Sequence, residues 1–230
     1  MRNMLKTMKN LLTAGEDLVL VTVIASSGAT PRGAGARMLV GRDGRICGTI
    51  GGGAVEYRSE QIAASVLEEK TSLGHDFTLT KDDVQNLGMI CGGACDVYFH
   101  FIPAGDPHTL SLCEKAETEF RKGSDLWLLT DVGPADIMGL YTREEGFWGI
   151  TVANGLNPSR HPERTGDIFA EQINTSGRVY VFGGGHVAQE LVPVLAHVGF
   201  RCVVMDDRKE FTKPELFPGA ESVICGDLTR

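Results

Sequence analysis

Two rhythms of apolar residues run along this chain. Unbroken or alternating apolar stretches predict strands at Leu18–Ile24, Arg37–Val40, Arg45–Ile50, Phe77–Leu79, Cys95–Ile102, Leu126–Thr130, Gly139–Thr142 and Phe147–Val152. Helical spacing predicts helices over Val55–Glu69 and Thr109–Lys122. The opening MRNMLKTMKNLL is basic and amphipathic and reads as a surface helix closed near Gly15. Gly41-Arg42-Asp43-Gly44 between two apolar strands is a hairpin signal. Residues 1–153 therefore read as one N-terminal mixed α+β domain.

The pattern changes near Arg178. An apolar strand, Val179–Phe182, runs into Gly183-Gly184-Gly185-His186-Val187-Ala188. A helix-period segment follows to about Val198, and a second strand, Cys202–Met205, ends on Asp206. This is the strand, glycine turn, helix, strand and acid layout of a dinucleotide-binding unit. Gly183 permits the tight turn, Gly185 lets the backbone approach a pyrophosphate, and Ala188 lets the helix sit close to the strand. The helix N-terminus offers unpaired N–H groups and partial positive charge to phosphates. Asp206 favours a free ribose 2′-hydroxyl, whereas Arg208 accommodates a phosphate, so NAD and NADP both stay open. His186 at the helix start reads equally as a ligand contact or a surface histidine. A Pro-broken stretch and a third short strand, Ser222–Cys225, complete only about half of a doubly wound sheet. The fold class is thus α/β: the mixed α+β domain, then a partial Rossmann-like parallel-sheet domain over 178–230. Residues 154–177, polar and carrying Pro158, Pro162, Gly155, Gly166 and Gly177, read as a linker.

Composition narrows the partners. The chain has 230 residues, 22 basic and 30 acidic side chains, and a formal net charge of −8. That argues against a general nucleic-acid or anionic-membrane surface. No apolar run approaches the roughly 20 residues of a bilayer span. No signal-peptide pattern follows the basic start, so the cytoplasm is the expected location. Six cysteines, at 47, 91, 95, 113, 202 and 225, read as free thiols rather than a disulfide framework. The half-finished sheet exposes strand edges, which predicts a homodimer.

Three segments of the first domain carry candidate chemistry. Ser26 to Arg37 combines small residues with Arg32 and Arg37, suited to gripping phosphate or carboxylate. Gly51-Gly52-Gly53 opens a helix that carries Glu56, an arrangement that reads equally as an anion site or as a mobile loop or close helix–strand contact. Cys91 stands in Gly88-Met89-Ile90-Cys91-Gly92-Gly93-Ala94-Cys95, where a thiolate could ligate a soft metal or carry sulfur. The spacing to Cys95 is not a zinc pattern. Cys47, Cys95, Cys113, Cys202 and Cys225 read as packing thiols.

Taken in order, SSGATPRGAGARMLV, GTIGGGAVE, MICGGACDVYFHFI and VFGGGHVAQELVPVLAHVGFRCVVMDDRKEF resemble the xanthine dehydrogenase accessory factor family, XdhC/CoxI type. The resemblance implies an N-terminal domain with the Cys91-Gly92-Gly93 motif and a C-terminal Rossmann domain. It further implies molybdenum cofactor (molybdopterin) binding, protection during sulfuration, and delivery to an apo molybdenum hydroxylase, with a cysteine desulfurase as a further partner. By position it carries over Cys91 as the reactive or metal-ligating thiol, and Gly51, Gly52, Gly53 and Glu56 as the glycine-helix motif. Gly183 to Ala188 with Asp206 and Arg208 form its nucleotide motif. Two other functions compete: an NAD(P)-dependent oxidoreductase, which leaves Cys91-Gly92-Gly93 idle, and a non-catalytic nucleotide-binding regulator.

Overall fold

The computed structural model describes residues 1–28, 30, 32–78, 93–152, 155–173 and 177–227. The chain forms two compact units, Met1–Asn174 and Thr175–Arg230.

Among the described residues, the first unit holds two antiparallel five-stranded sheets and three α-helices. The first sheet has the order β3-β2-β1-β5-β4, built from β1 (Leu18–Ser27), β2 (Arg37–Gly41), β3 (Gly44–Thr49), β4 (Leu73–Thr78) and β5 (Ala94–Ile102). The second has the order β8-β7-β6-β10-β9, from β6 (Leu126–Asp131), β7 (Met138–Thr142), β8 (Gly146–Trp148), β9 (Glu163–Thr165) and β10 (Ile168–Gln172). The helices are α1 (Arg2–Thr13), α2 (Gly53–Glu69) and α3 (Pro107–Lys122).

The central strand β1 is apolar from Leu18 to Ile24, apart from buried Thr22, because both faces of that stretch are covered. Leu18 and Leu20 join a core with Leu5, Met8 and Leu12 of α1 and Leu112 and Ala116 of α3. Val19, Val21 and Val23 join the opposite core with Val55, Ala63 and Val66 of α2. So α1 is no mere surface helix: its apolar stripe is fully inserted. Local chemistry sets the ends of α3. Asp106 accepts from the Thr109 N–H at 2.8 Å, Pro107 opens the helix, and Gly123 closes it at φ +79°.

Segment 154–177 is not simply a linker. It carries β9 and β10, and β10 pairs with β6 from Ile168↔Asp131 to Gln172↔Trp127. Ile168, Phe169, Ala170 and Glu171 are all buried. The strand β8 is shorter than the apolar run Phe147–Val152 suggests, and Gly149 just past its end sits at φ +73°.

Among the described residues, the second unit has three parallel strands in the order β11-β12-β13: β11 (Arg178–Phe182), β12 (Arg201–Asp206) and β13 (Ser222–Cys225). Helix α4 (His186–His197) links β11 to β12 and buries Ala188 and Val192 against Cys202, Val204 and Phe217. This is one half of a doubly wound sheet, as the glycine turn and its flanking strands predict. No described helix is long and apolar enough to cross a membrane.

Candidate functional site

Strand register brings the glycine-rich segments of the first unit to one end of its first sheet. The antiparallel order places the C-termini of β1, β3 and β4 and the N-termini of β2 and β5 at that end. The connection bearing Arg32, the glycine run 51–53 and Gly93 all emerge there. The end is stepped. Thr22 pairs with Arg37 on one side, while β1 continues to Ser27, opposite Ala94 of β5. Five further residues place the Gly93 side about 16 Å beyond the glycine-run side. Arg32 is exposed and Gly93 half-buried. Cys91 and Gly92 lie outside the described residues.

The glycine run is held by the chain's own carboxylate. Gly51, Gly52 and Gly53 have φ of +130°, +77° and +60°, a path that side-chain-bearing residues rarely follow. Buried Glu56, in the first turn of α2, accepts from the Ile50 N–H at 3.0 Å, the Gly52 N–H at 3.1 Å and the Thr49 hydroxyl. Burial opposes its charge, but these hydrogen bonds and nearby Arg45 outweigh that and hold its pKa below the ordinary 4.5. Glu56 therefore shapes the loop rather than offering itself to a ligand. The stability it contributes is complete above the ordinary glutamate value and fades as pH falls through its lowered folded value. Glu56→Gln should lower unfolding free energy by about 1–2 kcal/mol near neutral pH. In denaturant titrations the gap to the unaltered chain should shrink as pH falls below the ordinary glutamate value.

Arg37 has a different role from the exposed phosphate grip that its glycine-rich surroundings suggest. It is buried and forms an ion pair with buried Glu171 of β10, tying the two sheets together. Its Nη1 also donates to the Met1 sulfur at 3.2 Å. Burial pushes the guanidinium down to about 9, still charged at neutral pH. Leading strand β2, Arg37 points into the structure, and Glu171 is the acid inside the apolar run IFAEQ. A second polar cluster escaped the sequence reading: buried Tyr98 and His100 meet the partly exposed carboxylate of Asp136. Asp136, at φ +48°, accepts from the Tyr98 hydroxyl at 2.7 Å and lies 2.7 Å from His100 Nδ1.

In the second unit, the glycine turn divides its work by position. Gly183 sits at φ +103°. Gly184 is closed in: a Cβ there would stand 2.2 Å from the Phe211 carbonyl oxygen. At Gly185, the N-cap of α4, a Cβ would meet nothing within 4 Å. The space in front of the helix N-terminus is open, and Ala188 is buried, as close helix–strand contact requires. His186 is exposed.

Asp206 is not presented to a ribose. Buried at the end of β12, it accepts from the Gly184 N–H at 2.7 Å, the Arg208 N–H at 2.9 Å and the Arg208 guanidinium at 2.9 and 3.0 Å. The Arg208 contact first, then the two backbone donors, hold its pKa far below the carboxylate range. The Arg208 guanidinium lies 4.1 Å from the centre of the Phe211 ring. Gly184→Ala should destabilise the second unit by about 1–3 kcal/mol through that clash. Gly185→Ala should leave stability within about 1 kcal/mol. Thermal unfolding of the two variants side by side checks the difference.

Among the remaining thiols, Cys95, Cys113 and Cys202 are buried and Cys47 is half-buried. Burial pushes the Cys113 thiol up to about 12 and raises those of Cys47, Cys95 and Cys202. Cys225 departs from the expectation of a core thiol: it ends the edge strand β13 and is exposed. Among the described residues, no group of three His, Cys, Asp or Glu side chains could hold a metal ion.

Comparison with known proteins follows this division of the chain. Residues 11–78 match the model of the XdhC and CoxI family, and residues 179–229 match the XdhC Rossmann domain. A probable xanthine dehydrogenase subunit of Bacillus subtilis (strain 168) is 26% identical over 93% of this chain and 67% of its own length. The Molybdenum cofactor insertion chaperone PaoD of Escherichia coli (strain K12) is 25% identical over 100% of this chain and 65% of its own. The chain thus spans about two thirds of the length of these two relatives. A crystal structure of a xanthine dehydrogenase from Bacillus halodurans shares the fold with a TM-score of 0.75 at 20% identity, covering 96% of this chain and 68% of that one. With both of its characteristic parts present in order, the chain belongs to the XdhC and CoxI family.

Proposed function

We propose that this protein matures a molybdenum hydroxylase, holding molybdenum cofactor as cargo and passing it to the apo-enzyme. The observation that carries the reading is the convergence at one sheet end of the Arg32 connection, the glycine run and Gly93, the last residue of the Cys91-Gly92-Gly93 motif. The cargo has a phosphate at one end and a sulfur-ligated metal at the other. The stepped end separates groups suited to each. Exposed Arg32 and the turn at Gly52, where a Cβ would meet nothing within 4 Å, suit the phosphate. Cys91 stands two residues before Gly93 in the sequence, and its thiolate suits the metal or a transferable sulfur. PaoD, named for insertion of the same cofactor, supports the reading by similarity over the whole chain. The protein works as a homodimer in the cytoplasm, with a cysteine desulfurase as sulfur donor.

The second unit supports a narrower reading of its own: a nucleotide phosphate seated at Gly185 and the N-terminus of α4, with His186 beside it. Because Asp206 is already engaged by Arg208, a phosphate-bearing ribose as in NADP suits the site better than the free diol of NAD. Gly185→Val should abolish nucleotide binding by calorimetry without unfolding either unit, since the added side chain fills the ligand's space.

Delivery is tested by mixing cofactor-loaded protein with apo-hydroxylase and following the activity gained. The reading requires activation well above that given by free cofactor alone. Equal activation with and without this protein overturns it.

A further inference from the structure

Helix α1 has two faces with different fates. Leu5, Met8 and Leu12 are inserted in the core. Arg2 and Lys6 are exposed, with Lys9 half-buried beside them, at the spacing of one helix face. Among the described residues, Lys9 pairs with Glu114 of α3 at 3.0 Å, while Arg2 and Lys6 have no ion-pair partner. The fold does not call for this charge. A helix N-terminus favours acids, and the first turn of α1 has none. Residues 1–15 carry three basic side chains and no acid, whereas residues 16–230 carry 19 basic and 30 acidic, leaving −11. Beside the basic face, α1 and α3 border a groove of about 460 Å³. Arg2, Lys6 and Lys9 line one wall, Glu117 of α3 lines the other, and buried Leu5 and Phe120 form an apolar floor.

We propose that this groove docks a short acidic segment of the apo-hydroxylase, with one apolar side chain of that segment seated against Leu5 and Phe120. The proposal rests on the delivery reading and adds to it the place of contact. Carboxylates of the segment meet Arg2 and Lys6, which have no internal ion pair to give up on binding. Arg2 to Lys9 spans about 10 Å of helix, the length of about three extended residues. Two or three carboxylates around one apolar anchor match that length. Glu117 on the far wall directs the acids toward α1. The remaining surface, carrying the chain's excess of acids, repels such a partner, so attraction at this one face also orients it. A basic amphipathic helix that docks on lipid needs a free apolar stripe, and that of α1 is committed to the core.

Biolayer interferometry of the full 230-residue protein on immobilised apo-hydroxylase, at about 0.1 M and about 1 M salt, tests this. The screening length falls from about 10 Å to about 3 Å between the two. The unaltered protein should bind and weaken at high salt. Arg2→Glu with Lys6→Glu should weaken binding about 10-fold or more at low salt. Thermal unfolding of that variant should be no worse than that of the unaltered chain, because Arg2→Glu places an acid where the helix dipole favours one. Loss of binding is then not loss of fold. The charge-keeping pair Arg2→Lys with Lys6→Arg should bind normally. So should Arg160→Glu with Arg164→Glu, which makes the same charge change at exposed positions elsewhere in the first unit. Undiminished binding by the Arg2→Glu, Lys6→Glu variant overturns the proposal, as does binding indifferent to salt. A variant that loses only its cosedimentation with vesicles of anionic phospholipid also overturns it, and assigns the face to lipid. Failure of the delivery reading shows differently, as unaltered protein that does not bind the hydroxylase at all, which overturns both.

Discussion

Arg37→Met is expected to destabilise the first unit by about 3–5 kcal/mol, the usual loss when one partner of a buried ion pair is removed. Glu171 would be left charged and buried between the two sheets, with the Arg37 guanidinium gone. The double variant Arg37→Met with Glu171→Leu should recover most of the loss, because it removes both desolvated charges and fills the space with apolar atoms. Denaturant unfolding of the two single variants and the double completes the cycle. A loss below about 1 kcal/mol for the single substitution would show that the pair is not holding the sheets together. The double variant also separates stability from cargo. If it is stable and still binds cofactor, Arg37 serves the scaffold and Arg32 carries the anionic contact.

The second large effect is expected at Cys91. Cys91→Ser should keep fold and thermal stability yet lose retained cofactor and the capacity to activate an apo-hydroxylase. Serine keeps nearly the same shape but is a poor ligand for a soft metal and cannot carry sulfur. The other cysteines supply the control. Cys95→Ser places a hydroxyl at a buried strand position and should cost about 1–3 kcal/mol while sparing activation. Alkylation rates give an independent readout. On a Cys225→Ser background, which removes the exposed thiol of β13, Cys91 should be modified well before Cys47, Cys95, Cys113 and Cys202. Slower modification than half-buried Cys47 would argue against a reactive thiol.

Much of the fold was legible because the signals were periodic or sterically demanding. The run LVLVTVI could only be a strand covered on both faces, and β1 is one. The strand, glycine and helix signature over 178–198 located the parallel unit, with Gly183, Gly185 and Ala188 in the geometry that their positions imply. What escaped was mostly a matter of partners distant in sequence. The strand β10 is five residues long and follows Pro158, Pro162 and Gly166, so local chemistry reads as a linker; only pairing with β6 makes it a strand. Arg37 looked like a ligand contact because its mate, Glu171, is 134 positions away. Asp206 sat where a ribose acid belongs, but Arg208 two residues later claims its oxygens. Glu56 was recognised as part of the glycine motif, while its task of holding Ile50 and Gly52 depends on a loop path visible only in three dimensions. Cys225 was read as core because its neighbours Val223 and Ile224 are apolar, yet β13 is an edge strand.

If this chain holds molybdenum cofactor, metal and pterin should stay with the protein together. Molybdenum analysis of the purified 230-residue protein, loaded with the cofactor and freed of excess, tests it most directly when paired with pterin fluorescence after oxidation. Near-stoichiometric molybdenum and pterin that fall together in Cys91→Ser are the expected result. Protein that keeps neither metal nor pterin, while both units remain folded, would contradict it.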